Sequence, residues 1–365
     1  MRILLINTVP TEKNGVTNVI FNYLKAMKVA GLTFDLVSLN QPDDYYVDEV
    51  EEKGGQVYVL PRLGGAFRYW ISLRNLIKTK RYDAVHIHGN SHTTVLELTA
   101  AKAAGCVVRM VHAHNTTCAH VVVHSLLTPV FNALCTHRLA CGVAAGKFMF
   151  GERLFTVINN GIDTNKFAYR TECRGKIRKQ YGFDDCRVIG HVGYFSEVKN
   201  QRWIIEVFRS LLVKDKDYRL LLIGDGEQRD EIANKAKEYG ILDYITFTGN
   251  VNNVDEMLNA MDIVLMPSLY EGLPLTLIEQ QANGLQCVCS DSITEEANIT
   301  GNLRFLSLDK TAEEWALEVA SFIKTDNREI RSQIAIERIR EAGYSIQEEA
   351  SKLLFIYTGA LDNVK

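Results

Sequence analysis

The sequence predicts two α/β domains, each built around a doubly wound parallel sheet. Short apolar or β-branched runs alternate with amphipathic runs almost from end to end, which is typical of parallel strands covered by helices on both faces. The alternation is interrupted once, by the polar segment 159–170, and then restarts. The length of 365 residues also suits two domains better than one core.

In the first half, seven apolar runs are predicted strands and three amphipathic runs are predicted helices. The first run shows the strand pattern, since four apolar residues, Ile3 to Ile6, follow a single arginine. The strands are predicted at 2–7, 33–39, 56–60, 84–88, 107–112, 138–141 and 156–158. The helices are predicted at 16–29, 70–78 and 94–104.

The second half repeats the alternation. In the predicted helix 201–212, apolar residues recur every three to four positions, at Trp203, Ile204, Val207, Phe208, Leu211 and Leu212. Strands are predicted at 188–192, 219–223, 244–248, 263–266 and 286–290. The other helices are predicted at 227–239, 255–260, 274–283 and 346–361.

These patterns give a domain organisation. We predict an N-terminal domain over 1–165 and a C-terminal domain over 166–345, facing a cleft. The final helix, within 346–365, could belong to either domain. In open α/β sheets, ligands bind where strands end and loops lead into helices, so the residues after each strand are the ones to inspect.

The composition excludes several protein classes. Hydrophobic residues make up 47% and charged residues 23% of the chain, as in an ordinary globular protein. No apolar run reaches the length of a membrane helix, and the apolar run at residues 3–6 is too short for a signal peptide, so we expect a cytoplasmic protein. The eight scattered cysteines predict reduced thiols, with Cys287 and Cys289 in the core.

Charge is unevenly divided along the chain. The net charge is −3, but residues 1–170 carry +6 and the remainder −9. A basic half could favour an anionic surface or acceptor, although uneven solvated charge would give the same count.

The segment 267–284, PSLYEGLPLTLIEQQANG, carries the strongest chemical signal. Pro274 suits the first turn of a helix and Gly284 its end. Glu271 then lies on the preceding loop and Glu279 inside the helix, on the order of 10 Å apart. That separation is wide for two carboxylates acting on one glycosidic bond, but it suits two acceptors at opposite ends of an elongated polar ligand.

The start of that helix is also a candidate anion site. The loop bends at Gly272, and the N–H groups of Leu273 and Leu275 lie at the positive end of the helix dipole. The alternative is structural: a solvated Glu271 and an ordinary surface pair for Glu279.

Two further strand ends carry glycines or a cation. Gly193 permits close approach of a ligand to the backbone, and Lys199 lies at the start of the next helix. A cation there opposes the helix dipole unless an anion compensates, which makes a phosphate partner as plausible as an exposed surface lysine. The turn at Gly224 is weak evidence alone. Gly15, at the start of the first helix, could meet a phosphate through its backbone N–H.

Histidines are concentrated in one region, since eight of the nine lie between residues 86 and 137. His114 lies two residues after the predicted strand 107–112, which makes it a candidate for binding sugar hydroxyls or for proton transfer, with a structural histidine as the equal alternative. His120 and His124 have the spacing of a zinc pair, but Val121 stands where a metalloprotease has glutamate. We therefore expect no metal.

Taken together, these segments resemble the retaining glycosyltransferases of family four, which have the GT-B fold, and among them the bacterial capsule or exopolysaccharide type. The resemblance spans almost the whole chain. Its most specific part is the Glu–seven residues–Glu spacing of Glu271 and Glu279. It is supported by INNGIDTNKF (158–167), GDGEQRDEI (224–232) and FTGNVNNVDEMLNAMDIVLMPS (247–268).

The resemblance implies roles for individual residues. Glu271 would contact hydroxyls of the donor sugar, Lys199 the diphosphate, and His114 the region of the reacting carbon, and these three are the catalytic candidates. Glu279 would bind the ribose of the nucleotide. The other implied donor-site residues are Gly15, Gly193, Tyr194, Arg202, Gly224, Asn250, Val251, Gly272, Leu273, Pro274 and Leu275.

Two departures from the family pattern concern the donor site. Tyr194 stands where many relatives have an arginine that binds the diphosphate, so Lys199 would carry more of that role or Arg202 would contribute. Asn14 precedes Gly15 where relatives often have two glycines.

We therefore expect a metal-independent transferase that moves a hexose or N-acetylhexosamine from a UDP-sugar, with retention, to a saccharide acceptor. The acceptor is expected to be lipid-linked, and the enzyme to contact the anionic inner membrane face. The alternatives are a nucleotide-sugar epimerase of the same fold and a non-catalytic nucleotide-sugar-binding protein. An oxidoreductase is disfavoured, because the first strand–helix loop lacks Gly-x-Gly-x-x-Gly.

Overall fold

The computed structural model describes residues 1–27, 29–62, 65–323 and 327–362. The chain divides into two compact units. The N-terminal unit comprises Met1–Gly161 and Ile346–Lys365, and the C-terminal unit comprises Ile162–Ser345. The predicted boundary after residue 165 lies four residues beyond this division.

Strands and helices alternate within both units. The strands are β1 (Arg2–Asn7), β2 (Thr33–Ser38), β3 (Val57–Val59), β4 (Ala84–His88), β5 (Val108–Ala113), β6 (His137–Ala140), β7 (Thr156–Val157), β8 (Arg187–Val192), β9 (Tyr218–Ile223), β10 (Ile245–Phe247), β11 (Ile263–Met266), β12 (Gln286–Ser290) and β13 (Leu303–Leu306). The helices are α1 (Gly15–Ala26), α2 (Asp44–Glu51), α3 (Ala66–Lys80), α4 (Val95–Ala103), α5 (Val121–Leu134), α6 (Val143–Phe150), α7 (Thr171–Tyr181), α8 (Gln201–Lys214), α9 (Arg229–Glu238), α10 (Val254–Leu258), α11 (Leu275–Ala282), α12 (Ala312–Phe322), α13 (Arg328–Glu341) and α14 (Ile346–Asp362).

The N-terminal unit contains a seven-stranded parallel sheet in the order β3-β2-β1-β4-β5-β6-β7. Successive residues of β1 pack on opposite faces: Ile3 and Leu5 join one buried cluster, and Leu4 and Ile6 join the other. A strand buried on both faces reads as a continuous apolar run, which is why β1 could be predicted from the sequence.

The C-terminal unit repeats the design with six parallel strands in the order β10-β9-β8-β11-β12-β13. Val188 and Ile189 of β8 again enter clusters on opposite faces of the sheet. The predicted fold class, two doubly wound α/β domains, is therefore confirmed.

Helix α14 packs within the N-terminal unit. Its Tyr357 is fully buried, with its ring 6.1 Å from that of Phe34 in β2. Glu349 accepts a hydrogen bond from the backbone N–H of Asn159 at 2.7 Å. The last helix is thus part of the first folding unit, although it is the last in the sequence.

Two findings concern the cysteines and membrane insertion. All eight cysteines are free thiols, and Cys287 and Cys289 are fully buried in β12. Within the described ranges, no helix combines the length and apolar character that a membrane span requires.

Candidate active site

The loop between β11 and α11 carries Glu271 and is held at three points. Leu269 donates its backbone N–H to the carbonyl of Val198 at 2.8 Å, and Ser290 Oγ donates to the carbonyl of Ser268 at 2.5 Å. Glu271 itself forms a parallel backbone bridge with Ile293. These contacts fix the loop at the carboxyl end of β11, where ligands bind in open α/β sheets.

Lys199 and Glu271 form an ion pair in this loop region. The ammonium Nζ of Lys199 donates to Oε1 of Glu271, and Ser268 Oγ donates to the same oxygen at 3.1 Å. The side chains are 21% and 15% exposed, so the pair is partly buried but accessible from solvent. Two residues that the sequence assigned separately to a donor site are thus in direct contact.

The position of Lys199 follows from a tight turn before α8. Asn200 adopts a left-handed conformation (φ 54°) and its side chain donates to the carbonyl of Pro267 at 3.1 Å. The next side chain, Gln201, is buried and donates to the carbonyl of Tyr194 at 2.9 Å. The turn therefore joins the loops after β8 and β11 and directs Lys199 toward Glu271.

His191 supports this arrangement from the end of β8, although it was not among the residues predicted for the site. Burial lowers the pKa of His191 to about 4, so the imidazole is neutral. Its Nδ1 donates to the carbonyl of Leu265 at 2.9 Å, and its Nε2 accepts from the amide of Gln201 at 3.1 Å. A signal was available in the sequence, since this histidine lies near the end of a buried strand, two residues before Gly193.

The glycines after β8 and β9 lie in closely packed surroundings, and at Gly224 the packing leaves no room for a side chain. A Cβ on Gly193 would lie 3.1 Å from His191 Nε2 and 3.6 Å from Lys199 Cδ. Gly224 has φ +130°, and a Cβ there would lie 2.0 Å from the carbonyl oxygen of Gly193. The turn at Gly224 thus has a structural role: it lets two strand-end loops touch.

Glu279 lies inside α11 and has an unusual electrostatic environment. Desolvation raises the pKa of its carboxyl group to about 8, although part of the side chain remains exposed. Lys166 opposes this shift and Asp255 adds to it. A carboxyl group of this kind can donate as well as accept a hydrogen bond near neutral pH.

The start of α11 differs slightly from the prediction. Pro274 immediately precedes the helix, which begins at Leu275, and its carbonyl accepts from the N–H of Leu277 at 3.0 Å. Gly272 is exposed, whereas Leu273 and Leu275 pack partly against the core. The leucine side chains thereby anchor the backbone whose N–H groups were predicted to bind an anion.

The remaining predicted donor-site residues of the C-terminal unit lie on its surface or at the edge of its core. Tyr194 is exposed, and a hydrogen bond with Glu227 and the charge of that carboxylate raise its pKa. Arg202 lies 3.8 Å from Glu231 in an exposed pair. Asn250 is exposed after β10, and Val251 packs partly against the core.

In the N-terminal unit, Gly15 begins α1. Asn14 caps the helix, its side chain accepting from the N–H of Thr17 at 2.9 Å. A Cβ on Gly15 would meet no atom within 4 Å, so the backbone here is open to an approaching group.

His114, itself half-buried, belongs to a histidine stack at the ends of β4 and β5 whose other members, His86, His88 and His112, are buried. His88 Nδ1 and His114 Nε2 are 2.9 Å apart, and their rings stack at 5.1 Å. His86 extends the stack and contacts the hydroxyl of Tyr357 at 2.5 Å. Burial lowers the pKa of His86 and of His114 to about 3, so both are neutral at physiological pH.

Nitrogen atoms of three histidines in the stack lie close together. Ligand atoms of His86, His88 and His112 lie within 4.8 Å of one another. The His86 and His112 rings stack at 5.5 Å with their planes 5° apart. The absence of a metal stays a prediction of the sequence analysis.

Comparison with known proteins now identifies the chemistry. Residues 174–341 match the family described as "Glycosyl transferases group 1", and residues 13–166 match "Glycosyltransferase Family 4". The Bacillus subtilis (strain 168) protein EpsF, named as a putative glycosyltransferase, is 31% identical over 367 residues, covering 95% of this chain and 94% of EpsF. The chain belongs to the family 4 glycosyltransferases.

Other glycosyltransferases agree with this assignment. One relative is the Escherichia coli UDP-Gal:alpha-D-GlcNAc-diphosphoundecaprenol alpha-1,3-galactosyltransferase. It is 31% identical over 247 residues, which cover 64% of this chain and 62% of the E. coli protein. The crystal structure of Anabaena HepE in complex with UDP superposes with a TM-score of 0.78, covering 98% of this chain and 100% of HepE. At 16% identity, that similarity shows the GT-B fold alone.

Family membership bears on the alternatives left open by the sequence. The assignment as a transferase enzyme is confirmed, and the epimerase, the non-catalytic binding protein and the oxidoreductase are not supported.

Proposed function

We propose that this glycosyltransferase takes its sugar from a UDP-sugar bound in the C-terminal unit. The observation that carries the proposal is the Lys199–Glu271 pair, in which Lys199 from the turn before α8 meets Glu271 in the loop leading to the N-terminus of α11. A cation and a helix N-terminus suit a diphosphate, and an adjacent carboxylate suits sugar hydroxyls. UDP as the nucleotide is supported by HepE, solved with UDP and with UDP-glucose, and by the UDP-Gal of the E. coli relative's name.

In this proposal each residue of the site has a defined task. Lys199 and the N–H groups from Gly272 to Leu275, Pro274 excepted, stabilise the negative charge that develops on the departing diphosphate. Glu271 orients the donor sugar, a hexose or N-acetylhexosamine, and Glu279 binds the ribose. In the C-terminal unit, the residues that line the donor are Gly193, Gly224, Asn250 and Val251, with Tyr194 and Arg202 at its edge. In the N-terminal unit, the backbone N–H of Gly15 is suited to a phosphate.

We further propose that transfer proceeds with retention and without a metal. The acceptor hydroxyl attacks the anomeric carbon of the donor sugar from the same face from which the diphosphate departs. The departing diphosphate takes the proton of that hydroxyl. His114, kept neutral by burial, binds the acceptor side through a hydrogen bond.

The proposed acceptor is a lipid-linked saccharide in cell-surface polysaccharide synthesis, at the inner face of the membrane. The name of the E. coli relative, which includes a diphosphoundecaprenol-linked sugar, supports this choice. The basic N-terminal half, with +6 over residues 1–170, is suited to an anionic membrane.

A thermal-shift panel of UDP-, GDP- and ADP-sugars tests the donor, because a ligand that binds only the folded state raises the melting temperature. We expect stabilisation by UDP-sugars, and a GDP-sugar as sole stabiliser would overturn the choice. Release of UDP should then require a saccharide acceptor. Retention is tested by NMR of the product, whose anomeric configuration should be that of the donor sugar.

A further inference from the structure

Helix α5 presents an apolar stripe to solvent. The helix contains no Asp, Glu, Lys or Arg over its 14 residues. Val122 and Leu126 are 73% and 74% exposed, and Val130 is 45% exposed. These residues are spaced four apart, so they lie on one face of the helix. An apolar stripe of this kind on a surface helix marks an interaction site.

The opposite face of α5 fixes the orientation of the helix. The His124 ring stacks on His92 at 3.8 Å, and the Phe131 ring lies 4.2 Å from the same imidazole. His92 Nδ1 contacts the carbonyl of His124 at 2.9 Å, and its Nε2 contacts that of Met149 at 2.7 Å. The helix cannot rotate its apolar stripe inward without breaking these buried contacts.

The surroundings of α5 in the sequence are apolar and free of negative charge. Residues 98–151 contain no Asp or Glu. The exposed Lys147 lies in α6, next to Phe148, whose ring is 5.0 Å from that of His124. Val143, the first residue of α6, is also exposed. An apolar stripe beside a cation, in a segment without anions, complements an anionic lipid surface.

We propose that the exposed stripe of α5 is the surface through which the N-terminal unit docks on an anionic membrane. Val122, Leu126 and Val130 enter the boundary between headgroups and acyl chains, and Lys147 meets lipid phosphates. Lys147 beside the stripe favours an anionic lipid surface over a second copy of the chain, which would bring the same cation to this surface. The proposal rests on the membrane contact proposed above, but not on the donor chemistry.

The test is co-sedimentation of the full chain with vesicles of phosphatidylglycerol and phosphatidylcholine, compared with pure phosphatidylcholine. We expect binding to the anionic vesicles, and the double variant Val122→Ser/Leu126→Ser to bind at least about tenfold more weakly, because it removes two inserted apolar side chains. The matched control is Val213→Ser/Leu317→Ser, which removes one exposed valine and one exposed leucine from the C-terminal unit. The control should bind like the unmodified chain.

Equal binding by the α5 variant and the unmodified chain would overturn the proposal. So would a dimer in light scattering that only the α5 variant abolishes, since the occupant would then be a second copy. Leu126→Trp gives an independent readout: its emission should be quenched by brominated lipid, and no quenching contradicts insertion.

Measurements of UDP binding and sugar transfer by the α5 variant distinguish a failure of this proposal from a failure of the proposed function. The α5 variant should bind UDP and transfer to a water-soluble acceptor at unchanged rates. Lost vesicle binding with intact transfer supports the docking surface. Intact vesicle binding without any transfer from UDP-sugars would contradict the proposed function alone.

Discussion

Lys199 donates a hydrogen bond from Nζ to Oε1 of Glu271, although the two residues are 72 positions apart in the sequence. The residue proposed to bind the diphosphate, Lys199, and the residue proposed to bind the donor sugar, Glu271, therefore form an ion pair with each other. A carboxylate beside the cation competes with a bound diphosphate for it, and it also repels the phosphate charge. This contact leads to a prediction that separates nucleotide binding from sugar transfer.

Glu271→Gln should leave UDP binding unchanged or stronger while lowering kcat on the order of a hundredfold. The substitution frees Lys199 for the diphosphate but removes the acceptor that orients the donor sugar. Calorimetry with UDP and steady-state transfer assays measure the two effects separately. Glu313→Gln, an exposed glutamate at the start of α12, is the control. Unchanged transfer in Glu271→Gln would refute the role of this carboxylate.

Glu279 should make the C-terminal unit less stable as pH rises. Its pKa is about 8 in the folded chain against an ordinary 4.5, so between these values the folded state holds a proton that the unfolded state has lost. Stability contributed by this proton is fully present below pH 4.5 and is lost as pH rises through 8.

Glu279→Gln removes that dependence. Thermal melts at about pH 5.5 and about pH 8.5, on either side of the folded-state pKa, should show the unmodified chain losing stability relative to the variant at the higher pH. A constant difference between the two proteins would mean that Glu279 is charged throughout the range.

The histidine stack should stay neutral across the physiological range. Burial lowers the pKa values of His86 and His114 to about 3, and those of His88 and His112 well below 6.5. Because the unfolded chain takes up protons below about pH 6.5 and the folded stack does not, the stack loses stability as pH falls. Imidazole ¹⁵N spectra should show these four rings in the neutral form at about pH 5.5. The signal that disappears in His114→Gln is assigned to His114. Protonation of any of the four near their ordinary pKa would contradict the buried stack.

Gly224→Ala should destabilise the chain by about 2 kcal/mol or more, because the new Cβ would lie 2.0 Å from the Gly193 carbonyl at φ +130°. Gly175→Ala is the matched control. A Cβ on Gly175, which lies inside α7, would meet no atom within 4 Å, so alanine should stabilise the helix by about 0.5–1 kcal/mol. Denaturant unfolding of both variants measures the difference, and equal effects would refute the packing account.

The loop and helix around Glu271 could be predicted because the local sequence marks their ends. Pro274 and Gly284 bracket α11, and Gly284 has the positive φ (70°) expected of a residue after a helix. The continuous apolar runs of β1 and β11 likewise identified strands buried on both faces.

Contacts between distant segments could not be predicted. The pairing of His88 with His112 across β4 and β5 depends on strand register, and the Lys199–Glu271 contact depends on how two loops meet. Helix α5 was not predicted because its exposed face carries valine and leucine and no charged residue, so the polar face that usually marks a surface helix is missing.

Calorimetric titration of UDP into the unmodified chain, Lys199→Met and Lys214→Met tests the central claim most directly. Lys199 is paired with Glu271 in the proposed donor site, whereas Lys214 is an exposed lysine at the end of α8. We expect one bound UDP, a dissociation constant at least about tenfold higher for Lys199→Met, and a change of less than about twofold for Lys214→Met. Equal UDP affinity in the unmodified chain and Lys199→Met would contradict the proposed donor site.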